Sequence, residues 1–222
     1  MPDAVSDIAA ALFEPLPVAL WACWCWKGQV SVGDDVLVTG DGPVGIAVLQ
    51  VARASGVTDV TVWDVNADRR TAAVELGATL TVDPSKGAAE GHAGPLRPRV
   101  LRECSAHAGT TRATLFPAAG RAVLVWMGGG ELTLPLSLLQ ERELVIQGDL
   151  PVCQHVASRH RPGSHGRGRP RRLVTGHFTL SETDSALMAA RWDSRAIKSV
   201  IPSPRTEDRS DIHPHLERHR EQ

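Results

Sequence analysis

Three glycines, Gly40, Gly42 and Gly45, stand in the spacing G-x-G-x-x-G within Val36-Leu-Val-Thr-Gly-Asp-Gly-Pro-Val-Gly45, where an apolar run stops and a helix-like pattern begins. Residues of this type and spacing can hold a pyrophosphate. Gly40 permits a tight turn, Gly42 lets the backbone approach the phosphates, and Gly45 lets a helix pack closely on the preceding strand. The anion would rest at the positive end of a helix that starts near Pro43, on the backbone around Val44 and Gly45. Glycine-rich turns are common, so the motif alone is weak. Asp64 strengthens it: it closes the next apolar run, Asp59-Val-Thr-Val-Trp-Asp64, about twenty residues on, where a carboxylate can accept hydrogen bonds from an adenosine ribose. The chemistry these residues predict is dinucleotide binding.

The elements that must position them alternate along the chain. Val36 to Thr39 reads as a buried parallel strand, and Val44, Val48, Val51 and Ala52 recur at helical spacing until Gly56 supplies a stop. Val60 to Asp64 is a second strand. Asn66 or Ala67 opens a helix to Leu76, Gly77 closes it, and Thr79 to Val82 is a short third strand. Residues 83–98 are rich in Gly, Pro and Ala and read as loop with weak helix. Val100 to Ser105, Arg121 to Trp126 and Leu144 to Gly148 supply three more strands, separated by helices over 109–116 and Ser137 to Glu143. Six strands with crossovers between them predict an α/β fold, a doubly wound six-stranded parallel (Rossmann) sheet with the cofactor at the strands' carboxyl ends. Ahead of it, Ile8, Leu12, Leu16, Leu20 and Cys23 suggest a helix interrupted around Pro15 and Pro17.

With 222 residues the chain has room for one large domain, or one domain and part of a second. Lys and Arg number 24 against 25 Asp and Glu, so no global charge points to nucleic acid or to a membrane surface. The balance hides a basic stretch without acids, Arg159 to Arg172. The four cysteines form neither a disulfide framework nor zinc knuckles. Ile8 to Trp26 is broken by Glu14, Pro15 and Pro17 and lacks a basic leader, which predicts neither a signal peptide nor a membrane span, and hence a cytoplasmic protein.

Together, Glu14-Pro-Leu, Gly33-Asp-x-Val-Leu-Val-Thr-Gly-x-Gly-Pro-Val-Gly45, Glu103-Cys-Ser105, Pro117 to Val125, Gly128-Gly129, Leu134-Pro-Leu136, Gln140-Glu-Arg-Glu-Leu144 and Leu173-Val-Thr-Gly-His-Phe178 resemble the medium-chain zinc-dependent dehydrogenases. The polyol branch, sorbitol (L-iditol) and L-idonate 5-dehydrogenases, is the most similar. The resemblance covers about residues 8–150 and 173–201. It implies hydride transfer between a secondary alcohol of a sugar alcohol or sugar acid and a nicotinamide cofactor, with zinc polarising the alcohol oxygen. It implies Asp64 as the ribose-binding acid, and therefore NAD in preference to NADP, because a 2′-phosphate would meet like charge. Arg69 and Arg70 lie close enough in sequence to soften that preference. Glu14 matches the glutamate that, in the polyol branch, sits beside the zinc and its water. The family is also commonly dimeric or tetrameric, so a homo-oligomer is implied.

The sequence departs from the family in two places. No Gly-His-Glu zinc motif occurs, so zinc is expected of the family but not supported by residues of this chain, and His107 reads as a surface histidine. Pro151 to Arg172 lacks both apolar period and family likeness. A one-base shift of back-translated codons over 151–156, and again over 168–172, restores family-like residues, which suggests compensating frameshifts that DNA sequencing would test. Arg167-Gly-Arg-Pro170 resembles an AT-hook core, yet one copy without a companion domain favours a solvated arginine-rich loop over DNA binding. The resulting organisation is a catalytic-domain remnant and connecting helix at 1–30, a dinucleotide-binding domain at 31–150, an irregular basic segment at 151–172, a second catalytic-domain remnant at 173–201 expected to pack loosely or hang free, and a disordered tail at 202–222. The isolated chain is expected to lack turnover. A nucleotide-binding or interaction module without catalysis is the alternative, ahead of a zinc-free quinone-reductase-like enzyme.

Overall fold

The computed structural model describes residues 11–12, 15–24, 29–86, 98–115, 120–126, 131–149 and 173–202. Six short strands form one parallel sheet in the order β3-β2-β1-β4-β5-β6: β1 Asp35–Thr39, β2 Asp59–Trp63, β3 Leu80–Val82, β4 Val100–Glu103, β5 Arg121–Leu124 and β6 Val145–Gly148. The order reverses between β1 and β4, where Val36 pairs with Val60 on one side and Val100 on the other. This is the doubly wound arrangement expected from the alternation of apolar runs and helices, and the reversal opens a crevice beyond the carboxyl end of β1.

Both faces of the sheet are covered, which is why its central strands are apolar almost throughout. Val36, Val38, Val60, Val62, Val100 and Val123 point into one core. Leu37, Trp63, Leu101 and Ala122, one residue out of phase, point into the other. The first core lies under two packed helices, α1 Pro15–Trp24 and α2 Pro43–Ala54. The part of the expected interrupted helix that precedes the prolines lies outside the described residues; after them the chain is helical. Pro15 is the first residue of α1 and Pro17 the third, so both lie in the first turn, where no intrahelical amide bond is lost.

Helix α3, Ala67–Glu75, begins at Asn66, whose side-chain oxygen accepts from the amides of Asp68 and Arg69. Helix α4 spans Ala108–Leu115 and α5 Leu136–Glu141. The closing segment forms β7 Val174–His177, α6 Thr183–Trp192 and β8 Lys198–Val200, the two strands pairing in parallel. It does not hang free. Leu173 is buried with Leu12 and Ile46, the Asn66 side-chain Nδ2 donates to the Ser194 carbonyl at 2.7 Å, and the Ser194 hydroxyl bonds Asp68. Apolar contact and polar latch together dock the segment at the start of α3. The attachment is shallow, leaving Leu180, Leu187 and Trp192 exposed.

Candidate dinucleotide site

The turn after β1 is shaped by two close backbone approaches. Gly40 has φ +78°, and a Cβ there would lie 2.5 Å from the Ser105 Cα. A Cβ on Gly45 would collide with the Gly40 carbonyl oxygen. Within this turn, these two positions exclude any side chain, and they hold the start of α2 against the end of β1. Gly42 precedes the helix in extended conformation, and Pro43 is its first residue. The amides of Val44 and Gly45 in this first turn have no helical acceptor, so they and the helix dipole form a ready anion site.

Asp64 follows β2 and is nearly buried. Its Oδ2 accepts from the Asp41 amide at 2.7 Å and its Oδ1 from the Asn66 amide at 2.7 Å. The carboxylate therefore ties the glycine turn to the start of α3. Gly40, Gly42, Asp64 and Arg69 line one cleft of about 640 Å³, with Trp63 and Ser105 on its walls. That volume suits a cofactor-sized ligand. The Arg69 Nε is buried without a hydrogen-bond partner, so the cleft holds an unsatisfied donor. Arg70 is directed elsewhere: its Nη1 donates to the Asp64 carbonyl at 2.7 Å and stands 3.4 Å from Asp83 Oδ2. Of the two arginines, only Arg69 reaches the cleft.

Behind the turn, Glu103 is fully buried at the end of β4. Its Oε1 accepts from Thr39 Oγ1 and from the Ser105 amide, both at 2.9 Å, and from the Ser105 hydroxyl. This clamp joins the carboxyl ends of β1 and β4 and presses Ser105 against Gly40. His107 is exposed on the rim, its Nδ1 accepting from the Thr110 amide at 3.2 Å. The neighbouring Cys104 thiol is pushed well above its ordinary range by burial and by the Glu103 carboxylate. Asp41 is the residue whose importance the sequence did not reveal. Its side chain is fully buried with neither oxygen hydrogen-bonded, and burial, reinforced by Asp64 and opposed by Arg69, raises its pKa to about 8. Its position between two motif glycines was the available signal.

The described residues do not suit a zinc ion, because no group of three or more His, Cys, Asp or Glu stands together among them. They suit a dinucleotide: an open helix start, a buried carboxylate at a strand end and a guanidinium whose Nε lacks a partner share one cleft. Glu14, Cys25, Gly128, Gly129, the basic segment at 151–172 and the tail at 203–222 lie outside the described residues. Among the described residues no helix is long and apolar enough to cross a membrane.

The sequence profile of the zinc-binding dehydrogenases matches residues 43–155. Sorbitol dehydrogenase of Mus musculus is 36% identical over 161 residues, 69% of this chain and 44% of that protein. The chain thus spans somewhat under half the length of that relative. An alcohol dehydrogenase from E. coli CFT073, solved with NADH, superposes with a TM-score of 0.79 at 23% identity, covering 91% of this chain and 61% of that one. A Sinorhizobium meliloti 1021 protein solved with NADP gives 0.72 at 26% identity, covering 84% and 57%. With the profile spanning half of the chain and the doubly wound sheet built around its glycine turn, the chain belongs to the zinc-binding dehydrogenase family, on the medium-chain polyol branch that includes the sorbitol dehydrogenases.

Proposed function

We propose that this chain supplies the dinucleotide-binding part of an NAD-dependent dehydrogenase acting on a secondary alcohol of a sugar alcohol or sugar acid. The observation that carries the reading is the meeting of the glycine turn, Asp64 and Arg69 in one cleft. The amides of Val44 and Gly45, beside Gly42 and Pro43, would hold the pyrophosphate. Asp64 would accept from the adenosine ribose hydroxyls, and its charge disfavours a 2′-phosphate. Arg69, with its free Nε, would reach the same ribose or an adjacent phosphate. Bound nicotinamide supplies the hydride acceptor; this chain's residues orient the dinucleotide and keep its adenosine end out of water.

No step is assigned to zinc, since the described donor set does not fit it. Glu14 is proposed as a zinc-proximal residue only by likeness to the polyol branch. Cys23 and Cys104 stand as thiols rather than in a disulfide, which suits a reducing, cytoplasmic setting. The same misfit to zinc favours a second reading, in which the chain binds the dinucleotide without chemistry.

NADH titration followed through tryptophan fluorescence tests the shared claim, because Trp63 lines the cleft. Saturable binding is expected below millimolar NADH, with NADPH weaker; absence of binding at millimolar NADH overturns both readings. Assays of sorbitol and L-idonate oxidation with added zinc separate them. These 222 residues alone are expected to give no turnover. Measurable turnover would show that they suffice for catalysis and would overturn the reading without chemistry.

A further inference from the structure

The Asp41 carboxyl is used by none of the contacts just described. It is wholly buried, and neither oxygen has a hydrogen-bond partner, although its own amide donates to Asp64. The groups that face it are few. From the end of β2 comes the Asp64 carboxylate, from α3 the Arg69 guanidinium, and from the end of β4 the Cys104 thiol, itself pushed toward its neutral form. Helix α2 carries no acidic residue in its first turn. One cation therefore faces two carboxyl groups. A buried carboxylate without donors is strongly disfavoured, and taking up a proton is the least costly relief. In the free chain this sets Asp41 titrating near pH 8.

Position gives that proton a consequence. Asp41 directly precedes Gly42, the residue that caps α2, and the amides proposed to hold the pyrophosphate follow within four residues. An ionised Asp41 would place a further negative charge beside Asp64 and the incoming phosphates. In its acid form it would not.

We infer that Asp41 is a binding determinant that couples dinucleotide uptake to a proton: the cleft takes its cofactor with Asp41 in the acid form, and the bound anion holds that proton more firmly. The inference rests on the cleft being a dinucleotide site. The balance is simple: ionised Asp41, one proton from solvent and the dinucleotide give a complex with neutral Asp41, and no bond other than O–H is made. Above the titration point of the free chain, affinity should fall by up to about tenfold per pH unit until the bound form also loses its proton.

The test is NADH binding by the full chain between pH 7 and 9.5 at constant ionic strength, for the wild type, Asp41→Asn and Asp41→Ala. Wild-type Kd should rise at least fivefold across this range, while in both variants it should change less than twofold. The variants keep every other titratable group of the cleft, His107 included, and Asp41→Ala serves should Asp41→Asn fail to fold. Calorimetry at pH 8.5 in buffers of different ionisation enthalpy should show proton uptake by the wild type alone. A wild-type Kd flat with pH, or an equal rise in the variants, overturns the inference while leaving the dinucleotide site standing. Failure of NADH to bind at every pH overturns both.

Discussion

The amide of Asp41 donates a 2.7 Å hydrogen bond to Oδ2 of Asp64, so the acid that follows β2 fastens the turn that follows β1. Its second oxygen fastens the start of α3 through Asn66. One carboxylate thereby sets the geometry of the site's floor and faces the cleft in which the cofactor would lie.

Asp64→Ala removes both acceptors at once. Hydrogen bonds to a charged group contribute about 1.5–3 kcal/mol each, so NADH affinity should fall at least about tenfold. Asp64→Asn, which retains one oxygen, should lie between that variant and the wild type. Fluorescence titration and urea unfolding measured on the same samples separate lost contacts from lost structure.

Gly45→Ala should be tolerated poorly, since its new methyl would meet the backbone carbonyl of Gly40 rather than a side chain able to move. Overpacking at such a point costs about 1–3 kcal/mol or more. A lowered urea midpoint is expected, together with loss of NADH binding. Gly42→Ala, with open space where its Cβ would lie, should fold normally.

Asp41 makes stability depend on pH in the direction opposite to a paired carboxylate. Its folded value, about 8, lies above its ordinary value of 3.8, so the folded chain binds the extra proton between them. The stability contribution is complete below about pH 4, declines as pH rises toward about 8 and levels off beyond. The decline should approach about 1.4 kcal/mol per pH unit. Urea unfolding at pH 5, 6.5, 8 and 9 should show this slope in the wild type and a much smaller one in Asp41→Asn.

Glu103→Ala would strand three donors, the Thr39 hydroxyl and the amide and hydroxyl of Ser105, in a buried setting. A loss of about 3 kcal/mol is expected from unsatisfied groups of this kind. Glu103→Gln, which keeps an acceptor oxygen, should lose less. Weaker NADH binding should accompany both, because Ser105 abuts Gly40.

Leu173→Ala tests the docking of the closing segment. It opens a cavity against Leu12 and Ile46 and should cost about 2–5 kcal/mol, felt mostly locally. Hydrogen exchange should accelerate at 174–177 and 198–200 while the amides of β1 keep their protection.

The sheet was legible because its signals are local and repeated. Continuous apolar runs such as Val36 to Val38, glycines where helices stop, and Asn66 at a helix start each state a backbone preference that neighbouring residues do not contradict. Where the first helix begins was less legible, because spacing alone does not set a helix start: Pro15 opens α1, whose buried face packs against α2. The latch from Ser194 to Asn66 joins residues 128 apart, a pairing that no periodicity encodes.

What the sequence determined by itself, then, is the run of strands and helices and the glycine turn between the first pair, because φ preferences and burial periods act over a few residues. The tertiary structure alone decided which charges lack partners. Arg70 is drawn to Asp83 and leaves Arg69 to the cleft, Glu103 gathers three donors, and Asp41 receives none. The electrostatic environment of a carboxyl depends on every group within several ångströms, and only folding brings those groups together.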